Sequence, residues 1–369
     1  MNKVFSSLTK FKDVKAFIRA YYGNIPDKLD TKLVCFGFNE DSRRLCQFFK
    51  LDLIIDDGRD GQVYEGVPIV SREKVPQGMN IINCSHSIYP LTVFNLSRNL
   101  KPRIIISYTQ LSAFHECLDV PDFVRETYIA CSKHSPQIMK VFNSLEDDES
   151  KNCFSQVMWY RLTGDNCRDF GFKVSIEQQY FEGFIKDDAA GIFVDGGGFD
   201  GDTAEKYIEF YGGDFSKIYV FEPDECNAKN ARKNLSKFDN VIIQQKGLSD
   251  ESDCLQFSSL KTTYSSFSES GSQSIEVTTI DESVRECVNF IKLDVEGFDL
   301  KALKGAKVHI KEDTPVMAIS VYHDPNHFWE IPEFVLSNNN KYKLRFRHYT
   351  EGWSESVMFF LPKNNKALT

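Results

Sequence analysis

The chain has 369 residues, 26% of them charged, and a formal net charge of −9. That length accommodates two domains with substantial cores, and the negative balance argues against a general nucleic-acid or anionic-membrane partner, since both need a positive field. No apolar run reaches the length of a membrane span, the ten cysteines form no CxxC pair, and no secretory signal is recognised, which together predict a cytoplasmic protein with reduced thiols and no membrane insertion.

In chain order, KFKDVKAFIRAYYG carries a helical period closed by Gly23, within a segment 1–28. An α/β domain is expected over 29–118, with strands at 32–38 (KLVCFGF), 51–57 (LDLIIDD), 80–84 and 103–107. Its first turn offers Gly37 alone where a dinucleotide site has three glycines, and Phe38 and Asn39 would crowd a pyrophosphate. The domain therefore reads as structural or as an assembly surface, with Asp56 and Asp57 as strand-end residues. A mostly helical connection, 119–178, contains the acidic run 146–149, expected to be a solvated helix start or linker. Cys35, Cys84 and Cys287 are expected as small core hydrophobes.

The most informative stretch is FVDGGGFDG at 193–201, where an apolar run stops at Asp195 and Gly196, Gly197 and Gly198 lead towards a helix. Glycine tolerates positive φ and lets a ligand approach the main chain, so the turn suits a nucleotide-like cofactor, although an ordinary tight turn has the same composition. A second apolar run ends at Glu222-Pro223, about one βαβ unit later, where a carboxylate can accept from both ribose hydroxyls. NAD and S-adenosylmethionine sites share that geometry. Asp195 favours the second, because a carboxylate beside a pyrophosphate would be repelled.

Strands at 191–195, 217–222, 241–245, 289–294 and 315–322 alternate with helices at 202–211, 224–236 and 298–306, as in a doubly wound parallel sheet. KYKLRFRHY and SVMFFLP supply an antiparallel closing pair, the first expected to be an edge strand with a solvated basic face. Residues 253–280 break the alternation and predict an inserted strand pair or lid.

Four blocks in order, VDGGGFDGDT, VFEPD, IKLDVEGFDLKALKGA and AISVYHDPNHFWEIP, together resemble the FkbM-type methyltransferases, which transfer a methyl group from S-adenosylmethionine to a hydroxyl. The likeness covers 179–361 from Gln179-Tyr180-Phe181 onward, and DDESKNCFSQVMWYRLTGD resembles a segment that precedes the domain in some members. It implies a class I methyltransferase sheet over 179–369, a Rossmann-like doubly wound sheet with antiparallel closing strands, beside the smaller N-terminal Rossmann-like domain. That smaller domain, with EGVPIVS at 65–71, resembles nucleotide-binding-like domains found beside sugar-modifying enzymes. The expected cofactor is S-adenosylmethionine, and the expected acceptor a hydroxyl of a sugar, glycan precursor or similar small metabolite. Self-association as a homo-oligomer is compatible with the sequence.

The resemblance also places residues. Asp195, Gly196, Gly197, Gly198, Glu222 and Pro223 would hold the cofactor, with Gly247-Leu248 closing the third strand beside the adenine ring. Thr203 would bond the cofactor carboxylate or cap its helix, and Tyr180 would cover the methionine end. Lys292, inside a strand, is expected to pair with an acid, because a buried lone ammonium is costly. Catalysis falls to Asp294, Glu296 and His323 at strand ends, where a base can remove the acceptor's proton. Asp294 is expected to position cofactor or acceptor, with a base role open to it, while Glu296 has a plainer reading as a helix-dipole charge and His323 as a structural histidine. His327, Phe328 and Trp329 would line the acceptor pocket or pack a helix. A metal held by Asp294, Glu296 and His323 ranks below a metal-free mechanism. Two rival readings remain: an NAD-dependent oxidoreductase using the Gly196 turn, and a non-catalytic protein that binds cofactor or nucleotide-sugar.

Overall fold

The computed structural model describes residues 5, 8–25, 29, 32–186, 189–256 and 274–363. The chain divides into two compact units: residues 1–139, 152–176 and 348–355 form the first, and 140–151, 177–347 and 356–369 the second.

The first unit opens with helix α1 (Val14–Tyr22), started by the Asp13 side chain accepting from Ala16 N and ended at Gly23 with φ 73°. Its sheet contains β1 (Leu33–Phe36), β2 (Leu53–Ile55), β3 (Val63–Tyr64), β4 (Val67–Val70), β5 (Asn80–Asn83) and β6 (Ile104–Ser107), in the order β3-β4-β2-β1-β5-β6. All pairings are parallel except the β3–β4 hairpin. Both faces of β1 are buried, so its sequence reads as a continuous apolar run, as parallel strands require. Helix α2 (Glu40–Phe48) begins with a capping box between Asn39 and Ser42. Helices α3 (Pro90–Asn99) and α4 (Tyr108–Phe114) follow β5 and β6, and two long helices, α5 (Asp122–Ser144) and α6 (Asp148–Thr163), come next in the chain.

The second unit has a seven-stranded sheet of β7 (Ile192–Gly196), β8 (Lys217–Phe221), β9 (Val241–Gln244), β13 (Phe290–Leu293), β14 (Val316–Ser320), β15 (Tyr342–His348) and β16 (Ser356–Pro362). Its order is β15-β16-β14-β13-β7-β8-β9, with β16 antiparallel to β14. Between β9 and β13 lie three short strands, β10 (Gly247–Leu248), β11 (Asp253–Gln256) and β12 (Ser274–Thr278). β11 and β12 pair antiparallel, the strand pair the sequence predicts; the Ser/Thr-rich part of that prediction, 257–273, lies outside the described residues. Helices α7 (Asp202–Phe210), α8 (Glu225–Asn234), α9 (Asp299–Lys304), α10 (Lys307–Glu312) and α11 (His327–Asn338) follow the parallel strands. The helix expected at 298–306 is α9, and a further short helix, α10, follows it; Gly305 between them packs where any side chain would overlap the Ser249 carbonyl.

The core between β7, β13 and α7 is aromatic: Phe193 stacks on Tyr207 at 4.4 Å and on Phe290 at 5.0 Å between ring centroids. Each such buried ring contributes ~2–3 kcal/mol by burial, and stacking adds about 1 kcal/mol.

Three further expectations change. Cys287 is exposed, since it lies in the loop before β13, whereas Cys35 and Cys84 are buried. The acidic run is not merely solvated, nor is the basic face of β15. Lys343 Nζ lies 2.7 Å from Glu146, Arg345 Nε 3.1 Å from Asp147 and Arg347 Nη2 2.8 Å from Glu149. Alternation along the strand puts the three cations on one face, and the acids of the α6 entry run along it.

Candidate active site

β7 ends in the glycine turn at the carboxyl edge of the second sheet. The N–H groups of Gly197 and Gly198 both donate to the Phe221 carbonyl, at 3.0 and 3.1 Å. A methyl group on Gly196 would overlap Leu293 and Leu248, on Gly197 the Asp294 carbonyl, and on Gly198 the Val220 side chain. Neighbouring strands therefore demand these glycines and bring the turn's main chain flush against the sheet edge. Gly201, at φ 92°, occupies the N-cap of α7. Thr203 is not the cap: it is the second helical residue, and its N–H donates to Asp202 Oδ1 at 2.8 Å.

Asp195 is fully buried, and its register partner on β13 is Lys292. Lys292 Nζ stands 3.0 Å from Asp195 Oδ1 and donates to the carbonyls of Gly196 and Gly197 at 3.2 and 2.7 Å. Neither Asp195 oxygen accepts an aligned hydrogen bond from the described residues, so close-range charge attraction holds this pair. Burial pushes the Asp195 carboxyl up to about 6 against the pull of Lys292. For Lys292 burial acts downward, but Asp195 and Asp294 outweigh it and raise the ammonium's pKa. The expected partner acid of Lys292 is thus Asp195, and Asp195 acts on the turn through Lys292 rather than from the surface.

Glu222, one residue beyond β8, accepts from Phe199 N on one oxygen and from Asp224 N on the other, both at 2.9 Å. Burial raises its pKa, against the two backbone donors. Each oxygen keeps a second lone pair for a ligand hydroxyl. Pro223 carries the chain to Asp224, which caps α8 by accepting from Asn227 N. Phe199, at φ 46° and 57% exposed, is the turn's outermost side chain. Gly247 and Leu248 do not close β9; they form β10 and pair parallel with Val277 and Thr278 of β12. Leu248 still reaches the site, because its side chain fills the space beside Gly196.

β13 and β14 deliver the second cluster. Asp294 accepts from Tyr180 Oη at 2.6 Å and from Tyr322 Oη at 3.3 Å. His323 Nε2 lies 3.2 Å from Asp294 Oδ1 and 3.6 Å from Glu296 Oε2, charge contacts without hydrogen-bond alignment. On its other side, His323 Nδ1 is 3.1 Å from Asp299 Oδ2. Burial alone would lower the His323 pKa, but the flanking Asp299 and Asp294 carboxylates raise it well above the ordinary value. Asp294 is partly buried, which acts upward, yet His323, Lys292 and Tyr180 hold it below the usual carboxylate range. Glu296 differs. Its carboxyl is 68% exposed, and partial desolvation with the Asp294 and Asp299 charges raises its pKa against His323.

Three of the eight non-glycine residues with positive φ among the described residues lie at this edge. Tyr180 has φ 72°, Phe199 46° and Glu296 52°, left-handed conformations that cost a non-glycine residue of order 1 kcal/mol or more each. Such strain persists only where the surroundings enforce it, and it gathers at functional sites.

The structure brings Asp294, Glu296 and His323 together, with Tyr180 in the same cluster. Sequence reasoning missed Asp299, Ser320 and Tyr322. Asp299 is fully buried at the start of α9, accepts from Val295 N and Gly297 N at 3.1 and 3.2 Å, and so ties the loop to His323. Its signal was the acid in LDVEGFD, which reads equally as an ordinary helix-start charge. Ser320 Oγ is 3.3 Å from Tyr180 Oη. Of the aromatic trio after β14, Phe328 packs on Phe346, and His327 Nδ1 is buried 3.8 Å from Asp299. Among the described residues, no three His, Cys, Asp or Glu side chains are grouped as around a metal ion, and no helix is long and apolar enough to cross a membrane.

The strand order and its antiparallel β16 are those expected of a class I methyltransferase. The chain is similar in structure to methyltransferase FkbM from Methylobacillus flagellatus KT, with 21% identity, 98% of this chain and 99% of that chain covered, and a TM-score of 0.73. Fainter likenesses include a protein from Streptococcus mutans described as a methyltransferase and solved in complex with SAH, with 15% identity, 48% of this chain and 93% of that chain covered, and a TM-score of 0.32. Another is an rRNA methylase from Streptococcus thermophilus, with 17% identity, 49% and 92% coverage, and a TM-score of 0.32. No curated protein matches the sequence. The family model for the methyltransferase FkbM domain matches residues 195–344 of this chain, a span that runs from Asp195 through the glycine turn, Glu222, Asp294 and His323.

Proposed function

We propose that the chain is an S-adenosylmethionine-dependent O-methyltransferase acting on a hydroxyl of a sugar, glycan precursor or similar small metabolite. The observation that carries the reading is the division of labour at the carboxyl edge: a glycine turn braced by Glu222 stands beside a carboxylate, Glu296, with a raised pKa and access to solvent. When bound, S-adenosylmethionine supplies a methyl carbon on a sulfonium, open to displacement by an oxygen nucleophile. The residues fit that cofactor: Glu222 has lone pairs for two ribose hydroxyls, and the tight glycine turn lets a ligand lie against main chain.

Within this reading Glu296 takes the acceptor's proton. Asp294 is unsuited to that step, because its pKa is held low and its oxygens already receive two tyrosine hydroxyls. His323, kept charged by two carboxylates, is a fixed cation that steadies negative charge on the acceptor oxygen as the proton leaves. Tyr180 and Tyr322 orient Asp294, and the remaining requirement is alignment with water excluded.

The test is calorimetric titration of the full chain with S-adenosylhomocysteine and with NAD, alongside Glu222→Gln, with circular dichroism to check the fold. Affinity for S-adenosylhomocysteine that falls about tenfold or more in the variant supports the reading. Binding of NAD alone would overturn it and return the turn to a dinucleotide.

A further inference from the structure

The first unit's sheet has a switch point of its own, the place where such folds form a crevice. In the order β3-β4-β2-β1-β5-β6, the chain reverses direction across the sheet between β1 and β5. Ligands of open parallel sheets bind outside the carboxyl ends of the strands at such a switch point. The backbone there repeats the arrangement of the methyltransferase turn. Gly37, at φ 98°, donates its N–H to the Ile55 carbonyl at 2.9 Å, and Asp56 at the end of β2 accepts from Phe38 N at 3.2 Å, as Glu222 does from Phe199.

The loop after β5 is filled by residues 349–354, which belong to this unit. Trp353 N donates to the His86 carbonyl at 3.1 Å, Glu351 N donates to the Ile88 carbonyl at 2.9 Å, and Ser354 Oγ meets Ser87 Oγ at 3.1 Å. Gly352 lies so close that an added methyl would overlap the carbonyl oxygens of both His86 and Ser87. The Trp353 ring stacks on Phe123 at 5.9 Å, and its carbonyl accepts from the buried Arg161 at 2.8 Å. Helix α3 has no capping side chain of its own at Tyr89; instead the Glu351 carboxylate accepts from Thr92 N at 2.7 Å and from Thr92 Oγ1 at 2.8 Å. A helix N-terminus beside a sheet edge is where a ligand's phosphate or carboxylate would sit.

We propose that this crevice is an internal binding site whose ligand is the chain's own segment 349–354, with Glu351 as the anionic group. The first unit is then filled by its own segment 349–354 and is not a nucleotide site. An intramolecular occupant acts at an effective concentration in the millimolar range, which a free nucleotide would have to exceed. The sequence already hinted at this by withholding the dinucleotide glycines from the first turn; the occupant itself lies more than two hundred and fifty positions downstream of Thr92. The inference does not depend on the methyl-transfer reading.

The experiment is hydrogen exchange by mass spectrometry on the full chain, with and without UDP-glucose and NAD as probes. In the unmodified protein the amides of Glu351 and Trp353 should be protected, and neither probe should change exchange in 85–92 or 349–354. Glu351→Ala should speed exchange in both segments about tenfold, the scale of losing one helix-capping interaction, and leave β7 unchanged. Glu351→Gln, which keeps the shape and loses the charge, serves if the alanine variant does not fold. Fast exchange at Glu351 and Trp353 in the unmodified protein would overturn the proposal. So would a probe that protects 85–92 while releasing 349–354, which would make the segment a displaceable plug over a nucleotide site. No effect of either Glu351 variant would overturn its anionic role.

Discussion

His323 and Asp299 form a buried pair, Nδ1 to Oδ2 3.1 Å apart, on the side of the imidazole opposite Asp294. Of the two carboxylates that raise the ring's pKa, Asp294 and Asp299, the larger influence is Asp299. Asp299→Asn removes it and lowers the His323 pKa towards its ordinary value. The expected result is a turnover loss of about 10²-fold with the alkaline limb of the pH–rate profile moved to lower pH, while S-adenosylhomocysteine affinity stays within about twofold. A merely structural Asp299 would lower stability without moving the profile.

Glu296 holds a left-handed φ of 52° that glycine adopts freely. Glu296→Gly should therefore raise stability by about 1 kcal/mol in chemical denaturation while reducing turnover by ~10²–10⁴-fold, the scale of a lost general base. Glu296→Gln should lose turnover alike without the gain in stability. Full activity in both variants would remove Glu296 from the proton transfer.

Asp195→Ala would leave the Lys292 ammonium buried without its partner. Breaking such a pair costs about 3–5 kcal/mol, read as a lower denaturation midpoint, and adding Lys292→Met should restore most of it. Loss of cofactor affinity in Asp195→Ala alone would consequently report a disturbed fold as much as a lost contact. A single variant within about 0.5 kcal/mol of the unmodified protein would show that the pair does not hold the turn.

Asp147 meets Arg347 and accepts from Ser150, and these partners outweigh its partial burial and hold its pKa down at about 2. A carboxyl depressed in the folded state contributes stability that is present above its unfolded pKa and fades as pH falls through the folded one. The group is 26% exposed, so solvent screening limits the effect to about 1 kcal/mol. Urea denaturation from pH 7 to pH 2 should show Asp147→Asn less stable by that amount at pH 7, with the gap closing between pH 4 and pH 2. A gap that persists at pH 2 would point to lost hydrogen bonding instead of charge.

Much of the site was legible because local chemistry wrote it. Asp195 and the glycines, Glu222, Asp294 and His323 each stand where an apolar strand stops, and a strand's end is visible in its own residues. Asp299 was not legible in that way. An acid in the first turn of a helix serves the helix dipole in any protein, and only the fold of β14 against β13 brings His323 to it. Gly247-Leu248 misled for the opposite reason: position after an apolar run suggested the end of β9, while pairing with β12 decided otherwise.

The sequence by itself determined the alternation of strands and helices, the acid-glycine turn and the closing strands, because burial on both faces of a parallel sheet forces continuous apolar runs that end abruptly at polar residues. Only the tertiary structure decided the partners of the charges. Lys292 found Asp195, Arg347 found Asp147 and Glu149, and Glu351 found the start of α3. A buried or half-buried charge requires a counter-charge but does not specify from which distant part of the chain it comes, and that choice is made by the packing of the sheets.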